Sequence, residues 1–222
     1  MSHFGADRCL HVEGTRTVPE EEQIMTNTTR IPAVEVTGPF GALVKTIARR
    51  KLGLVPDSLG VLWQHRPVMM DMMQFGGKTE KWHELDGSLS TLATMAAAAA
   101  VGCSFCLDLH YFLARDHGLD VEKAREVPIW RASSRFTHLE RLVMEYSEAM
   151  SQTPPAVTDE LSDELLAAIG APALLELAAK VGYLNATARM NIALGIHSDG
   201  FADACGLAPL ATASRTGVAS EA

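Results

Sequence analysis

Residues 95–110, MAAAAAVGCSFCLDLH, contain both a strong helix signal and a cluster of reactive side chains. Five consecutive alanines favour a helix and leave room for a neighbouring helix to approach closely. Gly102 interrupts the run, and Cys103, Cys106 and His110 follow at spacings of three and four. On a helix, these spacings bring two thiols and an imidazole onto one face. The stretch therefore predicts two helices joined at Gly102, with a reactive cluster at the start of the second.

Helical patterns continue on both sides of this stretch. Apolar residues at 136, 139, 143, 146 and 150 follow the 3-4-3-4 spacing of an amphipathic helix. Glycines, prolines and capping residues bound the other predicted helices, which span 41–52, 59–75, 88 or 90 to 101, 103–117, 120–126, 158–169 and 172–195. No stretch alternates convincingly as a half-buried strand does. The sequence predicts an all-α fold of several antiparallel helices.

Composition places the chain among globular proteins with one substantial core. It has 222 residues, of which 47% are hydrophobic and 21% charged. The net charge of −8 argues against binding to nucleic acid, and no apolar run reaches transmembrane length. Residues 1–30 and 211–222 are polar or small and are expected to be flexible tails. Residues 31–210 are expected to form a single helical domain.

The four cysteines do not resemble the disulfide framework of a secreted protein. Cys9 and Cys205 lie near opposite ends of the chain, so Cys103 and Cys106 form the one local pair. A cytoplasmic protein with a catalytic pair fits this distribution better. We interpret Cys9 and Cys205 as structural or incidental.

The cysteine pair and the histidine predict a redox site. A free thiol has a pKa near ~8.5, and a nearby imidazole and a helix N-terminus both favour the nucleophilic thiolate. Because His110 lies one turn beyond Cys106, we expect Cys106 to attack and Cys103 to resolve the sulfenate into a disulfide. A peroxide is the natural oxidant, and a thiol or dithiol partner protein would then reduce the disulfide.

Other interpretations of the same residues stay open. Two buried cysteines can act simply as small hydrophobic residues, and a helical histidine can bind a backbone group or water. Two cysteines and a histidine can also hold zinc, but His117 is too far along the helix for a fourth ligand. We therefore expect neither a metal nor a cofactor.

Several side chains outside the motif are assigned to packing. The four methionines are expected to fill the core or an interface, and Tyr183, Asn185 and Arg189 to serve helix packing or subunit contacts rather than a pocket. The methionines are Met69, Met70, Met72 and Met73.

The pattern Gly-Cys-x-x-Cys-x-x-x-His after an alanine-rich helix resembles the carboxymuconolactone decarboxylase/alkylhydroperoxidase D-like family. The resemblance extends over about residues 43–207 and includes Leu139-Glu140-Arg141 and the stretch 185–195. It implies an all-helical fold that assembles into trimers or hexamers. It also implies hydroperoxide reduction through Cys103 and Cys106, with His110 in a proton relay. Another branch of the family decarboxylates a lactone without thiols or cofactor.

One position departs from the family pattern. The peroxidase members carry a glutamate twelve residues before the first cysteine, where this chain has Thr91. A threonine hydroxyl is no general base at neutral pH, and Glu80, Glu84 and Asp86 fall outside that helix. We therefore expect weak peroxidase activity, or a different reaction that uses the same dithiol.

Three functions compete at this stage. The leading hypothesis is a thiol-dependent peroxidase or related disulfide oxidoreductase. The second is a cofactor-free lyase of the carboxymuconolactone type, for which Arg189 and His197 are conceivable substrate-binding groups. The third is a helical homo-oligomer that binds a small apolar ligand without catalysis.

Overall fold

The computed structural model describes residues 29–212, so Cys9 and most of both expected tails lie outside the described residues. Two 3₁₀ turns, Trp63–His65 and Val127–Ile129, join some of the helices. The helices are α1 (Gly38–Leu52), α2 (Ser58–Leu62), α3 (Arg66–Thr79), α4 (Gly87–Val101), α5 (Ser104–Leu113), α6 (Val121–Arg125), α7 (His138–Ser151), α8 (Asp159–Leu194) and α9 (Phe201–Ala204). The described range contains no strand, which confirms the predicted all-α fold.

The alanine-rich helix α4 is the centre of the fold, and α5, α7 and α8 pack around it. Ala93, Ala96, Ala97 and Ala98 have no exposed surface. Their methyl groups let the neighbouring helices approach closely, as the sequence predicts. The buried side chains of α7 and α8 that complete this core include Val143, Leu165, Leu177 and Val181.

Some helices begin or end at residues other than those predicted, because local backbone geometry and capping set the boundaries. The predicted helix 59–75 is divided at His65, where the backbone leaves helical geometry and Nδ1 accepts a hydrogen bond from the N–H of Val68. The helix beyond it continues through Gly76 and Gly77 to Thr79. Asp86, rather than a serine, caps α4.

Helix α8 consists of two arms. Gly170 has φ 78° and ψ 164°, so the chain kinks where the sequence predicts one helix to end. Thr158 caps the first arm, and Gly195 in the left-handed region ends the second. Length and mean hydropathy alone would allow α8 to cross a membrane, but this is weak evidence. The kink and the ion pair between Glu176 and Lys180 within the helix identify it as a packed element of the domain.

The backbone at Gly102 sets the direction of α5. Gly102 has φ 82°, and an added Cβ there would meet nothing within 4 Å. Gly77 lies inside α3 at an equally open position with ordinary helical geometry. Alanine at the two positions therefore separates the cost of a left-handed backbone from any steric effect.

We predict opposite effects for the two alanine variants. Gly102→Ala should lower the free energy of unfolding by roughly 1–2 kcal/mol, because the left-handed region is strained for alanine. Gly77→Ala should raise it by roughly 0.5–1 kcal/mol, because alanine suits a helix interior better than glycine. Urea unfolding followed by circular dichroism measures both, and changes of the same sign would contradict the prediction.

Candidate active site

The two cysteines lie where α4 ends and α5 begins. Gly102 turns the chain, and Cys103 is the N-cap residue of α5. Its Sγ accepts a hydrogen bond from the backbone N–H of Cys106 at 3.2 Å. The two residues form a disulfide, with their Cα atoms 5.3 Å apart. The structure thus brings together the two thiols that the spacing predicts to meet.

Asn191 from α8 contacts the second sulfur. Its side chain is buried, and Nδ2 donates a hydrogen bond to Sγ of Cys106 at 3.6 Å. A donor directed at sulfur favours the thiolate over the thiol. The sequence interpretation overlooked this residue. The available signal was a polar side chain at 4-3-4-3 spacing after Leu177, Val181, Leu184 and Ala188, all of them buried.

His110 lies on α5 beside Thr94 of α4. Oγ1 of Thr94 is 3.1 Å from the carbonyl oxygen of Ser90 and 3.0 Å from that of Thr91. Because its single proton is donated to a carbonyl, Oγ1 accepts from Nδ1–H of His110 at 3.4 Å. This leaves Nε2 as the ring nitrogen with a lone pair. Among residues 29–212, no hydrogen bond joins His110 to either sulfur.

The environment of His110 keeps its imidazole neutral. Burial, together with the smaller effect of the nearby charges of His117 and Lys180, lowers its pKa from 6.5 to about 4. A neutral ring can accept a proton but contributes no positive charge to a neighbouring thiolate. Hydrogen bonds from Asn191 and from the start of α5 must therefore supply most of the thiolate stabilisation.

A second histidine, His117, is hydrogen-bonded to Thr91. Thr91 is buried, and its Oγ1 donates to the carbonyl oxygen of Gly87 at 3.0 Å. It therefore accepts from Nδ1–H of His117, also at 3.0 Å. Nε2 of His117 lies 3.5 Å from a carboxylate oxygen of Glu80. The Glu80 carboxylate, just after α3, is thus connected to Thr91 through His117.

These groups face a cavity of about 330 Å³ between α3, α5 and α8. Cys106, His110 and His117 form one side of its wall, and most of the remaining wall is apolar. The lining also includes nine oxygen-bearing side chains, although most of its exposed area is apolar. The apolar lining comes from Leu62, Met69, Met72, Met73, Phe105, Leu109, Leu113, Leu184 and Met190.

The structure separates the three residues that the sequence grouped as packing. Tyr183 lines the cavity, and its hydroxyl donates to the carbonyl oxygen of Met72 at 2.7 Å, which holds α3 against α8. The expectation that Tyr183 is outside a pocket is therefore wrong. Asn185 and Arg189 donate instead to Ser151 at the end of α7, which is a packing role.

Lys180 lies in the cavity wall as a paired cation. Its Nζ is 3.2 Å from Oε1 of Glu176 and donates to Oγ of Ser90 at 3.0 Å. Among residues 29–212, no three His, Cys, Asp or Glu side chains converge as a metal site.

Comparison with known proteins gives a consistent family assignment. The carboxymuconolactone decarboxylase family model matches residues 67–149. The uncharacterized protein YnjA of Escherichia coli K12 is 37% identical over 140 residues, which cover 62% of this chain and 77% of that protein. The segment matched by the family model includes the cysteine pair and both cavity histidines.

Solved structures share the fold at lower sequence identity. The debrominase Bmp8 has a TM-score of 0.70 at 18% identity, covering 80% of this chain and 96% of that one. An alkylhydroperoxidase AhpD core, an uncharacterized peroxidase-related protein from Ralstonia eutropha JMP134, has a TM-score of 0.68 at 16% identity, covering 78% and 94%. These similarities show the helical fold.

The depressed pKa of His110 predicts a specific pH dependence of stability. Between pH 6.5 and about 4 the unfolded chain binds a proton at His110 that the folded chain does not. This stability contribution is therefore complete above pH 6.5 and is lost as the pH falls towards 4. Asp199, whose pKa burial raises to about 6, titrates in the same window with the opposite sign.

Comparison of wild type with His110→Gln removes the common effect of Asp199. We expect the wild-type free energy of unfolding to decline relative to the variant as the pH is lowered through this window. An NMR titration of the His110 ring should give a pKa of about 4. A constant difference between the two proteins, or a ring that titrates at 6.5, would contradict the assignment.

Proposed function

Because this chain belongs to the carboxymuconolactone decarboxylase family and adopts its alkylhydroperoxidase D-like fold, we propose that it is a thiol-dependent peroxidase or related disulfide oxidoreductase. It reduces hydroperoxides through Cys103 and Cys106, assisted by His110. The observation that carries the proposal is the disulfide between the two cysteines, one of which lies in the wall of an apolar cavity.

The oxidative half-reaction consumes one hydroperoxide and both thiols. The Cys106 thiolate attacks the terminal peroxide oxygen, the O–O bond breaks, and the leaving alkoxide takes a proton to become the alcohol. Cys106 is then a sulfenic acid. The Cys103 thiolate attacks the sulfenic sulfur and expels hydroxide, which is protonated to water. Two thiols and one hydroperoxide give a disulfide, an alcohol and water.

Asn191 and the N-terminus of α5 are the groups that favour thiolate. A neutral His110 with a pKa of about 4 is a weak base towards a thiol whose ordinary pKa is near ~8.5. Hydrogen bonds from Asn191 and from the start of α5 act on the sulfurs in either state of the ring. Asn191 thus complements the role that the family resemblance gives to His110.

His110 is the proton carrier in this proposal. Because its pKa is about 4, its imidazolium form is more acidic than an ordinary imidazolium, so a proton that it accepts passes readily to a leaving alkoxide. Glu80 and His117 lie towards the end of the same cavity and connect it to solvent, since the Glu80 side chain is 59% exposed. Through the hydrogen bond of His117 to Thr91, they take over the relay role that the missing glutamate has in the family.

The wider setting of the protein follows from the same reasoning. We place it in the cytoplasm, where a reducing environment returns the dithiol after each turnover. The family resemblance implies a trimer or hexamer, and the large apolar side chains on the surface, with Leu175 72% and Leu43 55% exposed, support an oligomer. A thiol donor reduces the disulfide.

The first test is reaction with an alkyl hydroperoxide. Reduced wild type should lose two thiols per peroxide, and peptide mass analysis should find them joined as Cys103–Cys106. Cys103→Ser should still consume one equivalent and retain a sulfenic acid that a 1,3-dione reagent traps. Cys106→Ser should consume none. Peroxide loss in Cys106→Ser at the wild-type rate would refute the proposal.

The second test concerns the donor to sulfur. Asn191→Ala should shift the alkylation of Cys106 by iodoacetamide to higher pH and slow peroxide reduction by roughly 10–100-fold, because a hydrogen bond to a charged group contributes ~1.5–3 kcal/mol. Asn185→Ala, on the same helix but bonded to Ser151, is the matched control and should keep the wild-type pH profile. Equal profiles for all three proteins would exclude this role for Asn191.

A further inference from the structure

Both sulfurs of the disulfide are shielded from bulk solvent. Cys103 is 1% exposed and Cys106 is 4% exposed. Both belong to the core cluster that includes Ala97, Ala98 and Leu177. A reductant whose thiol is fixed on a folded surface must bring that sulfur into bonding contact with one of these two atoms. In this conformation, docking on the protein surface does not achieve that contact.

The cavity gives access to one of the two sulfurs. Cys106 lines the cavity, whereas the described lining does not include Cys103. Attack by an external thiolate therefore occurs at Sγ of Cys106, and Cys103 is the leaving sulfur. Asn191 supports this direction, because its hydrogen bond fixes Sγ of Cys106 on the α8 side, where the cavity lies.

The environment of Cys103 suits a leaving thiolate. Its sulfur occupies the N-cap of α5 and accepts the backbone N–H of Cys106 at 3.2 Å. The partial positive charge at a helix N-terminus lowers the pKa of a thiol, and a thiol of lower pKa leaves faster in disulfide exchange. Access to the sulfurs and stability of the leaving thiolate are independent observations. Both indicate that Cys106 is attacked and that Cys103 leaves.

The size and lining of the cavity select the class of reductant. A cavity of about 330 Å³ is roughly twice the ~150 Å³ that holds a benzene ring, so a slender molecule of about a dozen non-hydrogen atoms fits. The wall carries methionine, leucine and phenylalanine, and its cation Lys180 is already paired with Glu176. An uncharged small thiol fits this lining better than a charged one does.

We propose that a low-molecular-weight, uncharged thiol reduces the Cys103–Cys106 disulfide from inside the cavity, so that oxidant and reductant occupy the same cavity in turn. This inference rests on the proposed dithiol chemistry. The incoming thiolate bonds to Sγ of Cys106 and expels the Cys103 thiolate. A second thiolate attacks the reductant's sulfur, releases its disulfide and leaves the Cys106 thiolate. Two thiols are oxidised and one disulfide is reduced.

Reduction of the oxidised protein tests the proposal. We compare dithiothreitol, glutathione and a thioredoxin-type protein at equal thiolate concentration, with acid quenching and mass analysis of the alkylated cysteines. Dithiothreitol should reduce the pair at least about tenfold faster than either of the others, since access to sulfur limits exchange. Faster reduction by the thioredoxin-type protein would overturn the proposal, and so would equal rates for the three reductants.

Two tryptophan variants on α3 form a matched pair. Met72 lines the cavity, whereas Met70 is 41% exposed and is not part of the described lining. Met72→Trp should slow reduction by dithiothreitol at least about tenfold by filling the cavity, and Met70→Trp should leave the rate unchanged. Melting temperatures of both variants verify folding. Equal dithiothreitol rates in both variants would contradict entry through the cavity.

The direction of attack has its own readout. With hydroxyethyl disulfide, Cys103→Ser should form a mixed disulfide at Cys106, and Cys106→Ser should react at least about tenfold more slowly at Cys103. Preferred reaction at Cys103 would overturn the assignment. The peroxide reaction is measured separately on pre-reduced protein, so a failure of the peroxidase proposal is distinguished from a failure of this one.

Discussion

Burial of the alanine face of α4 against α7 and α8 is the constraint on which the site depends. Ala93, Ala97 and Ala98 have no exposed surface, and larger side chains there would force the neighbouring helices apart. This packing holds the end of α4, and hence Gly102 and the first turn of α5. The sulfurs are therefore held at one end of a rigid helix while α8 brings Asn191 to them. Core packing and sulfur chemistry are parts of one arrangement.

The two cavity histidines, His110 and His117, have different electrostatic environments. His110 is buried, so desolvation keeps it neutral. His117 bonds to Thr91 on one side and faces Glu80 on the other. His110 is the histidine nearer the two cysteines in sequence, and it is neutral. Hydrogen-bond donors rather than a cation must therefore stabilise the cysteine thiolate. A threonine in place of the family glutamate is compatible with this difference.

The success and failure of the sequence interpretation follow from how local each feature is. The capping of α8 by Thr158, the kink at Gly170 and the end at Gly195 depend on neighbouring residues and were predicted. In the second arm, Ile192 is 39% exposed while the adjacent Asn191 is buried. Two adjacent stripes on one helix have nearly the same spacing, and only the neighbouring helices decide between them. The same ambiguity explains why Tyr183 was not expected to line a pocket.

The amino-acid sequence by itself determined the helical class, the joint at Gly102 and the meeting of Cys103 with Cys106, because each depends on backbone geometry over a few residues. Tertiary structure alone decided which groups surround those sulfurs. Asn191 lies 85 positions beyond Cys106 and bonds to it across two helices. Glu80 precedes His117 by 37 positions and lies 3.5 Å from its ring in the cavity wall. Such contacts depend on the relative placement of whole helices, which packing of the complete core sets and short-range spacing does not encode.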